Sequence, residues 1–396
     1  MTFIATLAIA TFIVVGLGTV TLAGHFSRTL APTVFSFGIH ILAALSIYHT
    51  VGLGAPDAEY YDRAASSLAL GGPEVSVTAG KEGWVLLLAA VYSRLGHVPE
   101  LGLVLNATFA ALTVCIAGRI AAKLSLPVSV TAWITAAFPS GIFWSSLLLR
   151  ESVSWLLIGL CALAFAGLAS GRVRLLDIAL VLAALSGLLL VRGTAAIAVA
   201  AAGFIAIAYV RRRYLSFLLG ALACALIVVT SPLGARLNDI IGGITIETFN
   251  TSRTALSRAA ATSWPTVEVH GLSSAWEAFL VAFPRVMFGP YPWEWPSMPV
   301  PFALDGLVWL VILGLTIRGC LVLKDRRVVI LLLPAAALLA ALIVGSGNYG
   351  TMERLRIQST FLLIPVAAAG YTSLIPRMAG RSSETDDGKE EKTQEA

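Results

Sequence analysis

Apolar residues run in blocks of roughly twenty from one end of the chain almost to the other, and polar residues collect in the gaps between them. A bilayer's hydrocarbon core takes about twenty apolar residues of helix, so each block predicts a transmembrane helix. Spans are placed at 2–24, 31–52, 101–123, 126–148, 152–170, 174–191, 194–210, 214–231, 303–322, 328–345 and 358–376, about eleven in all. The expected fold class is an all-α polytopic membrane protein, because only helices and closed barrels satisfy their own backbone in lipid. Residues 1–376 read as one transmembrane domain with two large outer loops, 53–100 and 232–302, followed by a disordered cytoplasmic tail at 377–396. Thr2–Ala23 lacks the basic flank of a cleaved signal and reads as a retained helix.

Two stretches depart from this pattern. Trp84–Leu95 is apolar but short for a crossing, and predicts a helix lying along the membrane surface. Ser273–Phe288, with Trp276, reads as a second amphipathic surface helix. Prolines then forbid regular helix through Gly289–Pro296. The Trp and Tyr side chains there fit either an interfacial aromatic belt or a surface that stacks on sugar rings.

Composition sharpens the picture. The chain is 58% hydrophobic and 12% charged, where a soluble domain carries about 25% charged residues. A net charge of +5 could suggest nucleic acid as a partner. The basic residues, however, stand at the ends of apolar blocks, as topology determinants do, so no nucleic-acid partner is expected. Arg28, Arg119 with Lys123, Arg172 with Arg174, Arg211–Arg213, and Lys324 with Arg326 and Arg327 fall on one side, provided Trp84–Leu95 does not cross. That places the N-terminus outside, the C-terminus inside and both large loops outside, in a multi-pass cell-membrane protein with its active face outward. The four cysteines all fall inside expected spans, with no zinc or disulfide spacing.

Candidate chemistry concentrates at the outward ends of the spans. Asp57, Glu59 and Asp62 lie in the acidic, aromatic stretch Gly54–Arg63. In a helix Asp57 shares a face with Tyr61, and Glu59 with Asp62. The three acids are the candidate catalytic groups, and solvated loop carboxylates are the alternative. Asp57-x-Glu59 also has the form of a short acidic pair that a divalent metal could use, although two carboxylates specify no metal. No other cofactor is indicated. Arg150–Glu151 follow Phe138–Trp144, a run broken by Pro139 and Gly141, and a charged pair so near hydrocarbon needs pairing or hydration. Arg192, Arg354 and Arg356 stand on the side that the charge rule leaves poor in arginine. Guanidinium binds phosphate through paired hydrogen bonds, so Arg150, Glu151, Arg192, Arg354 and Arg356 are the candidate substrate-binding residues. Headgroup or carboxylate contacts are the alternative. His40 and His49, nine residues apart, offer no ligand spacing and read as packed polar contacts.

These residues carry a family resemblance. Asp57-Ala-Glu-Tyr-Tyr-Asp-Arg-Ala64 opens the first outer loop, Gly83–Gly96 forms the surface helix, and Leu105–Val114 begins the next span. With Phe138-Pro139, Arg150-Glu151 and Arg192, this stretch resembles the GT-C superfamily of polytopic glycosyltransferases, such as protein O-mannosyltransferase-like and aminoarabinose-transferase-like enzymes. The resemblance implies a polyprenyl-phosphate-linked sugar as donor, a glycan, lipid or protein acceptor, and Asp57 in the place of the general base. The chain departs from the family at Lys81-Glu82-Gly83-Trp84, where many members carry a His-Pro-Pro-Leu-like start. Its topology and late arginines are also similar to those of outer-face polymerases or ligases of lipid-diphosphate-linked sugar repeats. A transporter is the third reading, although its ionisable residues would be expected nearer the bilayer midplane.

Overall fold

A computed structural model of the chain describes residues 3–375 except 74, 79, 171–172, 213–233, 235–241, 243–244 and 259–261. The expected span 214–231 falls on or within these gaps, and the tail 377–396 lies beyond residue 375, so both are outside the described residues, as are Arg172 and Arg213. The described chain is all-helical, with fourteen α-helices. In order these are α1 (Phe3–Ser27), α2 (Leu30–Val51), α3 (Pro56–Leu70), α4 (Glu82–Leu95), α5 (Pro99–Lys123), α6 (Val128–Ala136) and α7 (Pro139–Ser145). They continue with α8 (Glu151–Ala169), α9 (Leu175–Arg211), α10 (Ile246–Arg258), α11 (Leu272–Phe288), α12 (Val300–Val322), α13 (Val329–Gly345) and α14 (Tyr349–Thr372).

Seven of the described helices are long and apolar enough to cross a membrane, against the eleven spans expected. They are α1, α2, α5, α8, α9, α12 and α13 with its leading turn. The differences have physical causes. Pro139 lacks a backbone donor and cannot continue the helix, so 126–148 becomes the short α6 and α7. Beyond α7 the chain is irregular, and the carbonyls of Leu147 and Leu149 are met there by the buried Asn106 amide at 2.7 and 2.9 Å. Irregular backbone at membrane depth needs such an internal partner. The expected segments 174–191 and 194–210 both fall within α9, whose 37 residues are two helices meeting at Arg192, where φ −156° and ψ 79° are non-helical. Asp177 near its start and Arg211 at its end both lie beside the last turn of α8, at Gly167 and Leu168. Arg192 instead meets Glu151 at the other end of α8, so α9 folds back on itself there. Finally, 358–376 belongs to α14, whose first half carries Glu353, Arg354 and Arg356.

These contacts define two ends of the bundle. At one end lie Gly80, Glu151, Arg192 and Arg354. At the other, Thr29 presses on Gly118, Lys123 pairs with Asp177 at 3.3 Å, and Arg318 donates to Ser373 at 2.9 Å. The short α4 begins at the first end and α5 starts there again: Gly83 lies against Leu190, and Gly102 against Leu148, close to Arg150. Helices α12 and α14 pack side by side with Gly319 against the Val366 carbonyl and Gly370 against that of Leu315. A Cβ at either glycine would clash with backbone, so the pair depends on small residues, as tightly packed membrane helices do. Surface helix α11 turns Ala278, Ala282 and Val286 inward and leaves Leu272, Trp276 and Leu280 exposed.

Candidate functional site

Helix α3 starts at Pro56, whose fixed φ suits the first helical turn, and ends at Gly71 with φ 71°. This sets Asp57 and Tyr61 one turn apart on the same face, with Tyr61 buried. At the start of α14, Asn348 accepts from the Thr351 backbone N–H at 2.7 Å and fixes the first turn. One turn further on, the Arg354 guanidinium reaches Asp57 Oδ2 at 2.8 Å through Nη1, and Glu151 Oε1 at 3.2 Å through Nε. The same Glu151 oxygen accepts from Arg192 at 2.5 Å. The Gln358 side-chain amide, one turn beyond Arg354, lies 3.1 and 3.2 Å from Arg192 Nη1 and Nε, and accepts from both when its oxygen is turned toward the guanidinium. Residues from α3, α8, α9 and α14 thus form one network, Asp57–Arg354–Glu151–Arg192–Gln358.

Arg150 frames it. Its Nη1 donates to the carbonyls of Gly80 and Val191 at 2.5 Å each, tying the loop before α4 to the tip of the α9 hairpin. Gly80 has φ 80°, and a Cβ there would stand 3.1 Å from the Gly193 backbone nitrogen, so both conformation and space call for glycine. Lys81 follows, with its ammonium 5.9 Å from the centre of the Tyr60 ring.

The electrostatics are lopsided. Burial pushes the Asp57 carboxyl up, but Arg354, with Lys81 and Arg150, outweighs it and holds the group below its usual range. Burial, then Arg150, pushes the Lys81 ammonium down. Four cations, Lys81, Arg150, Arg192 and Arg354, face two carboxylates, Asp57 and Glu151. Three buried polar atoms of the network, Glu151 Oε2, Arg150 Nε and Arg354 Nε, have no hydrogen-bond partner among the described residues, although Arg354 Nε stands at ion-pair distance from Glu151. Buried polar groups are nearly always paired, so a cation surplus beside unpaired polar atoms describes a place that can take an anionic, hydroxyl-bearing ligand.

Not every residue singled out in the sequence joins this network. Glu59 is exposed. Asp62 is buried and accepts from the Tyr92 hydroxyl at 2.8 Å, with His97 Nε2 2.9 Å away, which fastens α3 to α4 and to the turn into α5. Arg356 lies on another face of α14, paired with Asp305 at 2.6 Å, donating to the carbonyls of Val286 and Gly289, and set over the Trp309 ring. Ser140 donates to the same Asp305. Among the described residues no group of three His, Cys, Asp or Glu side chains is placed to hold a metal ion. His40 is buried against Ser145, a packed polar contact across α2 and α7.

Sequence reasoning missed Lys81, Gln358 and Asp305. Gln358 lies four residues from Arg354, the spacing that puts two side chains on one helix face, so it could have been found. Asp305 is the one acid within the apolar run 303–322, and an acid in such a place asks for a partner. Lys81 carried no comparable signal. No family model matches the chain, and no curated protein matches it.

Proposed function

We propose that the protein is a membrane glycosyltransferase that moves a sugar from a polyprenyl-phosphate donor to an acceptor hydroxyl on the outer face of the cell membrane. The observation that carries this reading is the Asp57–Arg354–Glu151–Arg192 network: a proton-accepting group and phosphate-binding groups joined at one end of an apolar bundle. The acceptor oxygen attacks the anomeric carbon as its proton passes to Asp57. The bond from that carbon to the phosphate oxygen breaks, and the electron pair leaves with the polyprenyl phosphate, stabilised by Arg192 and Arg354. Asp57 is held by Arg354 while the site is empty. A lipid phosphate that recruits this guanidinium frees the carboxylate to act as base, so donor binding and activation of the acceptor are linked.

A second reading has one observation in its favour. The surplus of two positive charges also fits a lipid diphosphate, the leaving group of a sugar-repeat polymerase or ligase. Deleting the protein separates the two: a lipid monophosphate sugar accumulates in the first case and a lipid diphosphate oligosaccharide in the second.

The direct test is Asp57→Asn, which keeps size and hydrogen bonding but cannot take up the proton. Transfer from a radiolabelled polyprenyl-phosphate sugar, in membranes holding equal amounts of protein, is expected to fall roughly 10²–10⁴-fold. Asp62→Asn, which loosens a tie between α3 and α4, should cost far less. Near-normal transfer by Asp57→Asn removes Asp57 from the chemistry.

A further inference from the structure

At the end of the bundle away from Asp57, α1 and α8 both pack on α5 and leave a furrow with α5 as its floor. It encloses about 460 Å³, within the roughly 300–1,000 Å³ of small-molecule sites. Phe26, Leu112, Ile116, Leu156 and Leu160 make it apolar, and Arg119 lines it as its one charged group. A furrow of this kind, open to hydrocarbon, is filled by lipid chain, and the arginine decides which lipid.

Arg119 is exposed and has no ion pair among the described residues. Its neighbour one turn on, Lys123, is by contrast engaged by Asp177 at 3.3 Å. The α1–α2 turn adds a second cation. Arg28, at φ 59°, is exposed there, and the next residue, Thr29, presses on Gly118, directly before Arg119. Two arginines without carboxylate partners therefore stand at this end of the bundle, Arg119 lining the apolar trough and Arg28 in the turn packed beside it. The complement is an amphiphile with an acyl chain and an anionic head, and basic pockets between membrane helices recognise such heads.

We propose that this furrow is a binding site for an anionic glycerophospholipid, with one acyl chain between α1 and α8 and its phosphate on Arg119, beside Arg28. The site lies at the opposite end from the Asp57 network, so it does not depend on the proposed transfer reaction and is not the donor's place.

The test uses the purified full chain in detergent, with dioleoyl phosphatidylglycerol or dioleoyl phosphatidylcholine added and retained lipid read by native mass spectrometry. The wild-type protein is expected to retain phosphatidylglycerol about tenfold better than phosphatidylcholine, the scale of one charged hydrogen bond. Arg119→Gln should abolish that preference, and Arg28→Gln should reduce it. Ala23→Trp fills the furrow without touching either arginine and should lower retention of both lipids. Melting temperatures without added lipid identify any variant that has lost its fold, and the remaining variants then decide. The proposal is overturned if the wild type shows no preference, if folded Arg119→Gln keeps it, or if folded Ala23→Trp retains phosphatidylglycerol normally. It is also overturned if inorganic phosphate alone raises the melting temperature as much as phosphatidylglycerol does.

Discussion

Arg354 and Arg356 stand two residues apart on one helix, and their surroundings could hardly differ more. Arg356 is sealed: its side chain is 1% exposed, its Asp305 partner 2%, and two carbonyls and an indole face take up the rest of the guanidinium. Arg354 bridges two carboxylates, one of them Asp57 with 40% of its side chain exposed, in a network with more cations than anions. Residues two apart on a helix point about 200° from each other, so one turn of α14 serves two unrelated tasks. Charge alone does not mark a binding site here. What separates the two places is access: the Arg356–Asp305 pair is closed to solvent, whereas the Arg354 network is partly open at Asp57 and holds more cations than anions.

The comparison breaks most sharply at Arg356. Removing it leaves Asp305 as an unpaired buried charge, which typically costs about 3–5 kcal/mol. Arg356→Ala is therefore expected to fail in folding, read as a large loss of melting temperature and of protein in the membrane. Replacing both partners with Arg356→Met and Asp305→Leu should recover much of that loss, because a buried pair exchanged for apolar side chains of similar volume is often close to neutral. A stable Arg356→Ala protein would mean that the sealed pair is not structural, and the contrast with Arg354 would disappear.

A smaller effect, of a different kind, is expected at Arg354. Glu151 keeps its Arg192 partner when Arg354 is removed, so no buried carboxylate is stranded. Arg354→Ala should fold, and should weaken the lipid-phosphate donor by about tenfold or more, the worth of a charge-assisted hydrogen bond of roughly 1.5–3 kcal/mol. Binding of a labelled donor to the purified variant measures it. Unchanged affinity with normal folding would make Arg354 a structural bridge like its neighbour.

Much of the architecture was legible in the sequence because it rests on local rules. The length of Trp84–Leu95 told against a crossing, and α4 does begin at the end of the bundle where α5 starts again. The amphipathic run behind α11 matched the observed helix to within a residue. The number of spans was less legible. Hydropathy averages over Pro139, where a single residue breaks the chain, and it reads 358–376 as a span of its own without the charged first half of α14, Glu353, Arg354 and Arg356. The site was half legible for the same reason. Asp57, Glu151, Arg192 and Arg354 each stood out as a charge in an unusual place, but nothing in their spacing showed that they meet. Nor could the sequence separate Arg354 from Arg356, since that depends on Asp305 reaching one of them across the α12–α14 contact.

The smallest expected effect concerns Asp57 itself, and pH reveals it. Arg354, Lys81 and Arg150 hold the carboxyl below its usual range against the opposing pull of burial. A carboxyl whose folded pKa lies below its unfolded value of about 3.9 adds stability that is fully present above that value and is lost as pH falls through the folded pKa. The melting-temperature gap between the wild-type protein and Asp57→Asn should therefore stay constant from pH 7 to 5 and close only below about pH 4. The gap itself should be small, because a pair with one partner this exposed is screened by solvent. Closure between pH 7 and 5 would instead mean a carboxyl free of Arg354 in the empty site. Adding lipid phosphate then separates a bridge from a switch. If the phosphate draws Arg354 away, the gap should close at higher pH in its presence, because Asp57 has lost the neighbour that kept it ionised. If the closing pH does not move, Arg354 stays on Asp57 when donor binds, and the carboxylate cannot be the base.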